Sequence, residues 1–297
     1  MAYTTIDDPS AYFQNVLWTG DGSAGNAVTF DGNSDMQPDF VWSKRRDVGY
    51  GHVLKDTSRG GTSNNDVHLV SNTTAGDSTY TAYRMDFNSD GFTLDGSGDS
   101  GFQANGTSMV SWSWKANGGT TSTNTDGSTN TTVQANTDAG FSIVTFTTDG
   151  GNETYGHGLG VKPDVVLVKS RSGAGTWIFT TDVIDGSVDY LILNATNAAA
   201  DLSYGAFTSS TFQYNDNNAV TQVAYCFAEK QGYSKFGKYV GNGNVNGPFV
   251  YTGFQPAWIL LKRTDSTSGG NWHIIDNKRS ASGGANVNVY TLFPNLD

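Results

Sequence analysis

The chain has 297 residues with a formal net charge of −11 at pH 7; 15% of the residues are charged, 12% are aromatic and a single one is Cys. The negative charge and the lack of a Lys/Arg cluster argue against binding to nucleic acid, and a lone Cys allows no internal disulfide. No apolar run approaches the roughly 20 residues that span a bilayer, and the N-terminus lacks the basic and apolar regions of a signal peptide.

The first predicted strands lie within residues 13–56. The stretch "FQNVLWTGDG" from Phe13 predicts a strand and a glycine turn, and "MQPDFVWSKRR" predicts a strand that is buried on both faces and begins after Pro38. Lys44, six positions after this proline, is predicted to mark where the strand leaves the core. "HVLKD" from His52 alternates and predicts the second strand of a hairpin.

Further strands are predicted up to residue 116. They comprise "LVSNTT" from Leu69, a segment with Phe87 and Phe92, and a closing strand "VSWSWKA" from Val110. Alternation along that last strand puts its large rings on one face, as a half-buried strand requires.

Residues 117–139 are rich in Gly, Thr and Asn and lack apolar periodicity. This composition is typical of a linker. One short strand is predicted within it, over Thr131–Ala135.

The same series then recurs, which indicates an internal repeat. Its members are "FSIVTFTTDG" from Phe141, "VKPDVVLVKSR" over 161–171, "WIFTT" from Trp177, "LILNAT" from Leu191 and "VAYCFAE" from Val223. Cys226 alternates with aromatic residues in the closing strand, and is therefore predicted to be a buried thiol rather than a nucleophile.

A third copy begins with "SKFGKYVGNG" from Ser234 and continues through "FQPAWILLKRT" over 254–264, "WHIID" from Trp272 and "LFPN" from Leu292. No counterpart of the closing strand follows before Asp297. Two explanations stay open: the natural protein continues, which we favour, or another chain supplies the missing strands and covers the exposed edge.

These patterns predict an all-β protein of tandem, antiparallel, jelly-roll-like β-sandwiches with an incomplete third repeat. The predicted domains are a first sandwich with an N-terminal docking segment (1–116), the linker (117–139), a second sandwich (140–230) and a truncated third repeat (231–297). A repeat of this length favours a compact domain for each copy.

Candidate site residues are few. Asp86, Asn88 and Asp90 resemble the first half of a calcium-binding loop, but the twelfth position is Ser97 instead of Glu, which favours a hairpin turn and leaves calcium binding open. Tryptophans at four positions are candidates for stacking on sugars, with core packing as the alternative: Trp42, Trp177, Trp258 and Trp272. The histidines fit no metal-binding spacing, and we expect no catalytic residue, metal or cofactor.

The strings "GHGLGVKPDVVLVKSR", "GYSKFGKYVGNG" and "GPFVYTGFQPAWILLKRTDSTSGGNW" resemble uncharacterised structural repeats of tailed bacteriophages, especially those of marine bacteria. The resemblance covers most of residues 11–297. It implies a virion component of the tail-fibre or structural type, and it supplies no functional residue.

The expected function is therefore a noncatalytic virion protein, assembled in the host cytoplasm and exposed on the particle. A tail fibre or appendage anchored by its N-terminal region and involved in host attachment is the first interpretation. A capsid decoration or head fibre is one alternative and a carbohydrate-binding module is another. The expected partners are other tail or head proteins, further copies of the chain, for which a trimer is one arrangement, and a host surface glycan.

Overall fold

A computed structural model describes residues 3–60, 67–80, 84–95, 101–216, 218–266, 270–279 and 290–297. The fold is all-β, as predicted, and a short 3₁₀ helix at Pro9–Ala11 precedes the first strand. Below, unit one is 1–116, unit two is 140–230 and unit three is 231–297. Among the described residues, none forms a helix of the length and apolarity that crossing a membrane requires.

Unit one consists of a large sheet and a small sheet. Its strands are β1 (Phe13–Thr19), β2 (Asn26–Val28), β3 (Phe40–Arg45), β4 (Val53–Asp56), β5 (Val67–Val70), β6 (Ser78–Thr79), β7 (Met85–Phe87), β8 (Phe92–Leu94) and β9 (Ser108–Trp114). The large sheet has the order β1-β9-β3-β4-β5-β6 and the small sheet the order β2-β8-β7. All of the described strand pairs in this unit are antiparallel.

Unit two and the segment before it form a second large sheet. The strands are β10 (Ser122–Asn124), β11 (Thr131–Asn136), β12 (Phe141–Thr147), β13 (Glu153–Gly156), β14 (Val165–Ser170), β15 (Ile178–Thr181), β16 (Asp189–Ile192), β17 (Ala200–Asp201), β18 (Thr211–Tyr214) and β19 (Thr221–Phe227). Their order is β10-β11-β12-β19-β14-β15-β16-β17, with β13 and β18 paired separately. From β12 onwards this order matches that of unit one.

The register agrees as well. In unit one Trp42 of β3 lies opposite Trp112 of β9, and in unit two Leu167 of β14 lies opposite Tyr225 of β19. Trp42 and Leu167 each lie four residues after the repeated proline, and Trp112 and Tyr225 hold the same place in the two closing strands. The sequence pattern therefore places equivalent residues at equivalent positions of the two large sheets.

The predicted linker is more ordered than its composition indicated. The short strand predicted over Thr131–Ala135 is confirmed as β11, but β10 was not predicted, and both strands extend the sheet of unit two beyond β12. Gln134 is buried and accepts hydrogen bonds from the backbone NH groups of Asn117 and Gly119. Polar side chains that bond to the backbone therefore hold this segment without apolar periodicity.

Unit three has a hairpin of β20 (Trp258–Lys262) and β21 (Trp272–Asp276) among its described residues. Leu292 adds a single bridge to Ile274, at the position where Leu69 pairs with Leu54 in unit one. The strand expected from Ser234 is not formed: apart from an isolated bridge at Ser234, the segment up to Gly243 is irregular.

The inner face of each small sheet packs on its large sheet through an outer core. The outer core of unit one includes Val16, Val41 and Phe92, and that of unit two includes Val144, Val166 and Phe212. Cys226 belongs to the second of these cores and is fully buried, as predicted. Both strands that follow the prolines, β3 and β14, are buried on both faces, as their sequence indicated.

The opposite faces of the large sheets meet in a central core to which all three units contribute. Its buried members are Phe40, Trp42, Leu54, Leu69, Val110, Trp112, Trp114, Ala116, Phe141, Ile143, Leu167, Trp177, Leu191, Leu193, Val223, Tyr225, Trp272 and Ile274. Phe40 of unit one stacks on Tyr225 of unit two with 4.2 Å between ring centroids. The units consequently do not pack as the separate compact domains that the repeat length favoured, because the rings of each unit are buried by the others.

Candidate assembly site around the central core

Ring nitrogens at one repeated position join unit two to unit one and unit three to unit two. Trp177 Nε1 of unit two donates to the carbonyl of Val70 in unit one at 3.0 Å. Trp272 Nε1 of unit three donates to the carbonyl of Ile192 in unit two at 2.9 Å. Val70 and Ile192 each follow the leucine of "LVSNTT" and "LILNAT", so the two bonds are equivalent.

His52 holds the corresponding position in unit one. Its Nδ1 accepts a hydrogen bond from Trp42 Nε1 at 3.0 Å, which leaves the ring proton on Nε2. The Phe293 carbonyl of unit three lies nearby and opposes the lowering of the His52 pKa, although no hydrogen bond of normal geometry forms to Nε2. Burial first, and then the charges of Lys44 and Arg279, lowers this pKa well below 6.5. A neutral imidazole therefore occupies the third equivalent position and faces the described part of unit three without a hydrogen bond to it.

Two of the three lysines that lie six positions after the prolines form a second set of hydrogen bonds between units. Lys169 Nζ donates to the Thr74 carbonyl in unit one at 3.1 Å, and Lys262 Nζ lies 3.4 Å from the Thr196 carbonyl in unit two. Lys44 is close enough to Asp297 of unit three for that charge to oppose the lowering of the Lys44 pKa.

The expectation that this lysine marks where the strand leaves the core is wrong for two of the three units, since Lys44 and Lys169 are buried. Burial is the main cause that lowers the pKa of each to about 8. The long lysine stem is buried while the ammonium reaches a backbone carbonyl: Lys169 donates to Thr74 of unit one, whereas Lys44 donates to Tyr50 of its own unit.

Two buried aspartates link the hairpins to aromatic residues of the next unit. Asp56 pairs with Arg59 at 2.5 Å and accepts from Tyr225 Oη at 2.6 Å. Asp276 pairs with Arg279 at 2.5 Å and accepts from Trp112 Nε1 at 3.0 Å. Both carboxylates are fully buried, so each charge is compensated by its arginine and by a donor from another unit.

Unit three presents a strand edge that is covered in the other units. In unit one β3 lies between β9 and β4, and in unit two β14 lies between β19 and β15. Among the described residues β20 pairs with β21 alone. Ile259 of β20 is 36% exposed, and Trp258, which takes the position of Phe40, is only partly buried. Further along unit three, Val240 and Phe249 are 84% and 88% exposed.

The structure places the four candidate tryptophans within the packing of the units. Trp42, Trp177 and Trp272 are at most 2% exposed and belong to the central core. Trp258 packs against that core, with its ring centroid 5.3 Å from that of Trp114. The three buried rings are not accessible to a sugar, because each already serves as a contact between strands or units.

The three residues of the calcium-like loop have separate partners in the β7–β8 hairpin. Asp86 pairs with Arg84, Asn88 donates to Thr93 Oγ1, and Asp90 accepts from the backbone NH of Met36. Gly91 has a φ of 87°, and a Cβ there would meet the Val28 carbonyl oxygen at 2.0 Å. The glycine thus serves a tight turn against β2.

A groove of about 400 Å³ lies on the large sheet of unit two. Its lining includes three tyrosines together with amide, hydroxyl and carboxylate groups: Tyr190, Tyr204, Tyr214, Thr180, Asn215 and Asp216. The sequence did not single these residues out, because they come from separate strands and loops and follow no common spacing.

The contacts between units could be found from the sequence only in part. The repeated positions of His52, Trp177 and Trp272 were visible, but the carbonyl groups that they meet belong to other units. An alignment of the repeats shows which positions are equivalent, but it does not show which copies are in contact. The shared spacing of Lys after Pro was a signal for these contacts.

The family described as "Domain of unknown function (DUF7483)" matches residues 8–296. No curated protein and no solved structure matches the chain.

Proposed function

We propose that this chain, which belongs to the DUF7483 family, is a noncatalytic structural protein of a bacteriophage particle, placed in a tail fibre or tail appendage. The observation that carries the structural role is the central core, where three units bury each other's rings and exchange hydrogen bonds. Such an arrangement makes the three units one rigid body instead of flexibly linked domains. The assignment to a phage particle rests on the resemblance of the repeat strings.

Electron cryomicroscopy of the particle tests this location. We expect the chain in the tail, anchored by its N-terminal region, in several copies around the tail axis. Density for the chain on the head shell would favour the capsid decoration or head fibre instead. Purified particles that lack the chain would contradict both.

The open edge of β20 is the proposed assembly contact. Trp258 and Leu260 have the positions of Phe40 and Trp42, which pair with Trp114 and Trp112 of β9. The segment that pairs with this edge is therefore expected to be extended and to present large rings at alternate positions. Added strands gain affinity from backbone hydrogen bonds and specificity from alternate side chains.

A peptide with the sequence of residues 221–229, carrying Ser in place of Cys226, tests the contact on the full chain. The peptide should slow hydrogen exchange of the β20 amides, whereas a control peptide with Ser also replacing Tyr225 and Phe227 should not. Equal effects of the two peptides would contradict the contact. So would β20 amides that are already as protected as those of β3 and β14, or a protection that grows with protein concentration, which would indicate a second copy.

A carbohydrate-binding function is the second candidate, and the tyrosine groove of unit two favours it. Aromatic faces beside a few polar groups are the usual composition of small-ligand sites. A glycan array should show binding that Tyr190→Ala weakens at least tenfold, while Tyr251→Ala, at an exposed position outside the groove lining, leaves it unchanged. An array without signal would remove this candidate.

A further inference from the structure

Three aspartates meet at the outer edge of the large sheet of unit two. Asp189 begins β16, Asp201 lies opposite it in β17, and Asp185 lies in the preceding turn. One carboxylate oxygen from each of the three lies within 4.8 Å of the others. Asp185 and Asp201 are exposed, whereas Asp189 is 3% exposed.

Asp189 is the unusual member of this group. Its Oδ2 is buried and has no hydrogen-bond donor among the described residues. No cation in the described part of the region compensates Asp189: Lys162 pairs with Asp182, and Lys238 Nζ donates to the Ile184 carbonyl, where its charge helps to lower the pKa of Asp185 but does not act on Asp189. A buried carboxylate without a compensating charge is costly, so a partner is needed at this oxygen.

Electrostatics at the cluster also favours an added cation. Burial, followed by the negative charges of Asp185 and Asp201, raises the pKa of Asp189. Either a proton or a metal ion relieves this repulsion. Exposure of the other two carboxylates leaves the site open to ions from solution.

We propose that Asp185, Asp189 and Asp201 bind a Ca²⁺ ion at the β16–β17 edge. Three carboxylates form an all-oxygen donor set, which suits a hard cation and offers no nitrogen or sulfur for Zn²⁺. Calcium–oxygen bonds of about 2.3–2.6 Å let one ion bridge oxygens up to roughly 5 Å apart, whereas the shorter bonds of Mg²⁺ restrict the span to roughly 4 Å. Water and backbone carbonyl groups complete the coordination of calcium.

Thermal unfolding of the full chain, treated with chelator and then titrated with CaCl₂, tests the site. Calcium should raise the Tm of the wild type by about 2–5 °C, because binding to the folded state alone stabilises it. Asp189→Asn should abolish this rise, and Asp185→Asn, at an exposed position, serves as a second variant if the first does not fold. Asp138→Asn, at an exposed turn outside the cluster, should keep the wild-type response.

Calorimetry should give one calcium ion for each chain. Without calcium, Asp189→Asn should unfold at the same or a higher temperature than the wild type, since the substitution removes the repulsion. A wild type that does not respond to calcium, an equal response in Asp189→Asn, or an equal response to MgCl₂ would each overturn the assignment.

Discussion

His52 occupies the position at which the other units have Trp177 and Trp272. Its neutral ring accepts from Trp42 with Nδ1 and faces a carbonyl group with Nε2. Protonation would place a charge between Lys44 and Arg279, which already lower its pKa. One of the three equivalent ring positions between the units therefore depends on pH.

The sign of that dependence follows from linkage. The unfolded chain protonates His52 near its ordinary pKa of about 6.5, whereas the folded chain does not, so acid favours the unfolded state. The stability from this residue is therefore present above about pH 6.5 and declines as the pH falls below it. Chemical denaturation should show wild-type stability falling between pH 7 and pH 5.

His52→Gln provides the comparison. A glutamine can accept from Trp42 with its amide oxygen and donate with its amide nitrogen, yet it does not titrate. Its stability should fall less than that of the wild type over the same range, and the difference between the two cancels the effects of other titrating groups. Identical pH profiles would contradict a neutral, buried His52.

At the scale of elements, the hairpins β3–β4 and β20–β21 share an ending that the hairpin of unit two lacks. Each finishes in Asp and has Arg three residues later, Asp56 with Arg59 and Asp276 with Arg279. Each arginine also donates back to its own hairpin, to the carbonyl of Leu54 or of Ile274. The pair therefore closes the hairpin and presents one carboxylate to the next unit.

Removing the buried carboxylate of Asp276 should lower the stability of the fold. Asp276→Asn leaves Arg279 buried without its counterion and weakens the bond from Trp112, so we expect a loss of about 3–5 kcal/mol in the free energy of unfolding. Urea denaturation measures the loss. Asp265→Asn, which breaks the exposed pair with Arg263 in the same unit, should change it by less than about 1 kcal/mol. Similar losses in the two variants would contradict the buried role of Asp276.

Strands and the faces that they bury were the features that the sequence predicted well. Alternating rings in "VSWSWKA" and "VAYCFAE" placed one face of β9 and β19 in a core, because period-two patterns depend on the local chain alone. The pattern predicts that Trp112 is buried but does not identify the residues that cover it. The contacts between units were therefore not predicted. The aspartate cluster was missed because β17 has only two residues, which is too short for any period to show that Asp201 faces Asp189.

The three units share one central core. This arrangement predicts whether the molecule unfolds in one transition or in several. Independent domains unfold in separate steps, whereas units that bury each other's rings should unfold together. Tryptophan fluorescence, which reports on the central core, and far-ultraviolet circular dichroism, which reports on all strands, should give coincident urea transitions. Two separated transitions would show that the units are autonomous after all.

The single thiol of Cys226 can report how often the outer core of unit two opens. It lies in the outer core of unit two, where burial raises its pKa to about 12, so the reactive thiolate is suppressed and shielded from solvent. A thiol-specific dye can consequently modify the chain only while the small sheet is separated from the large one. The rate of modification therefore measures how often the two sheets separate in the intact protein, and no engineered label is needed.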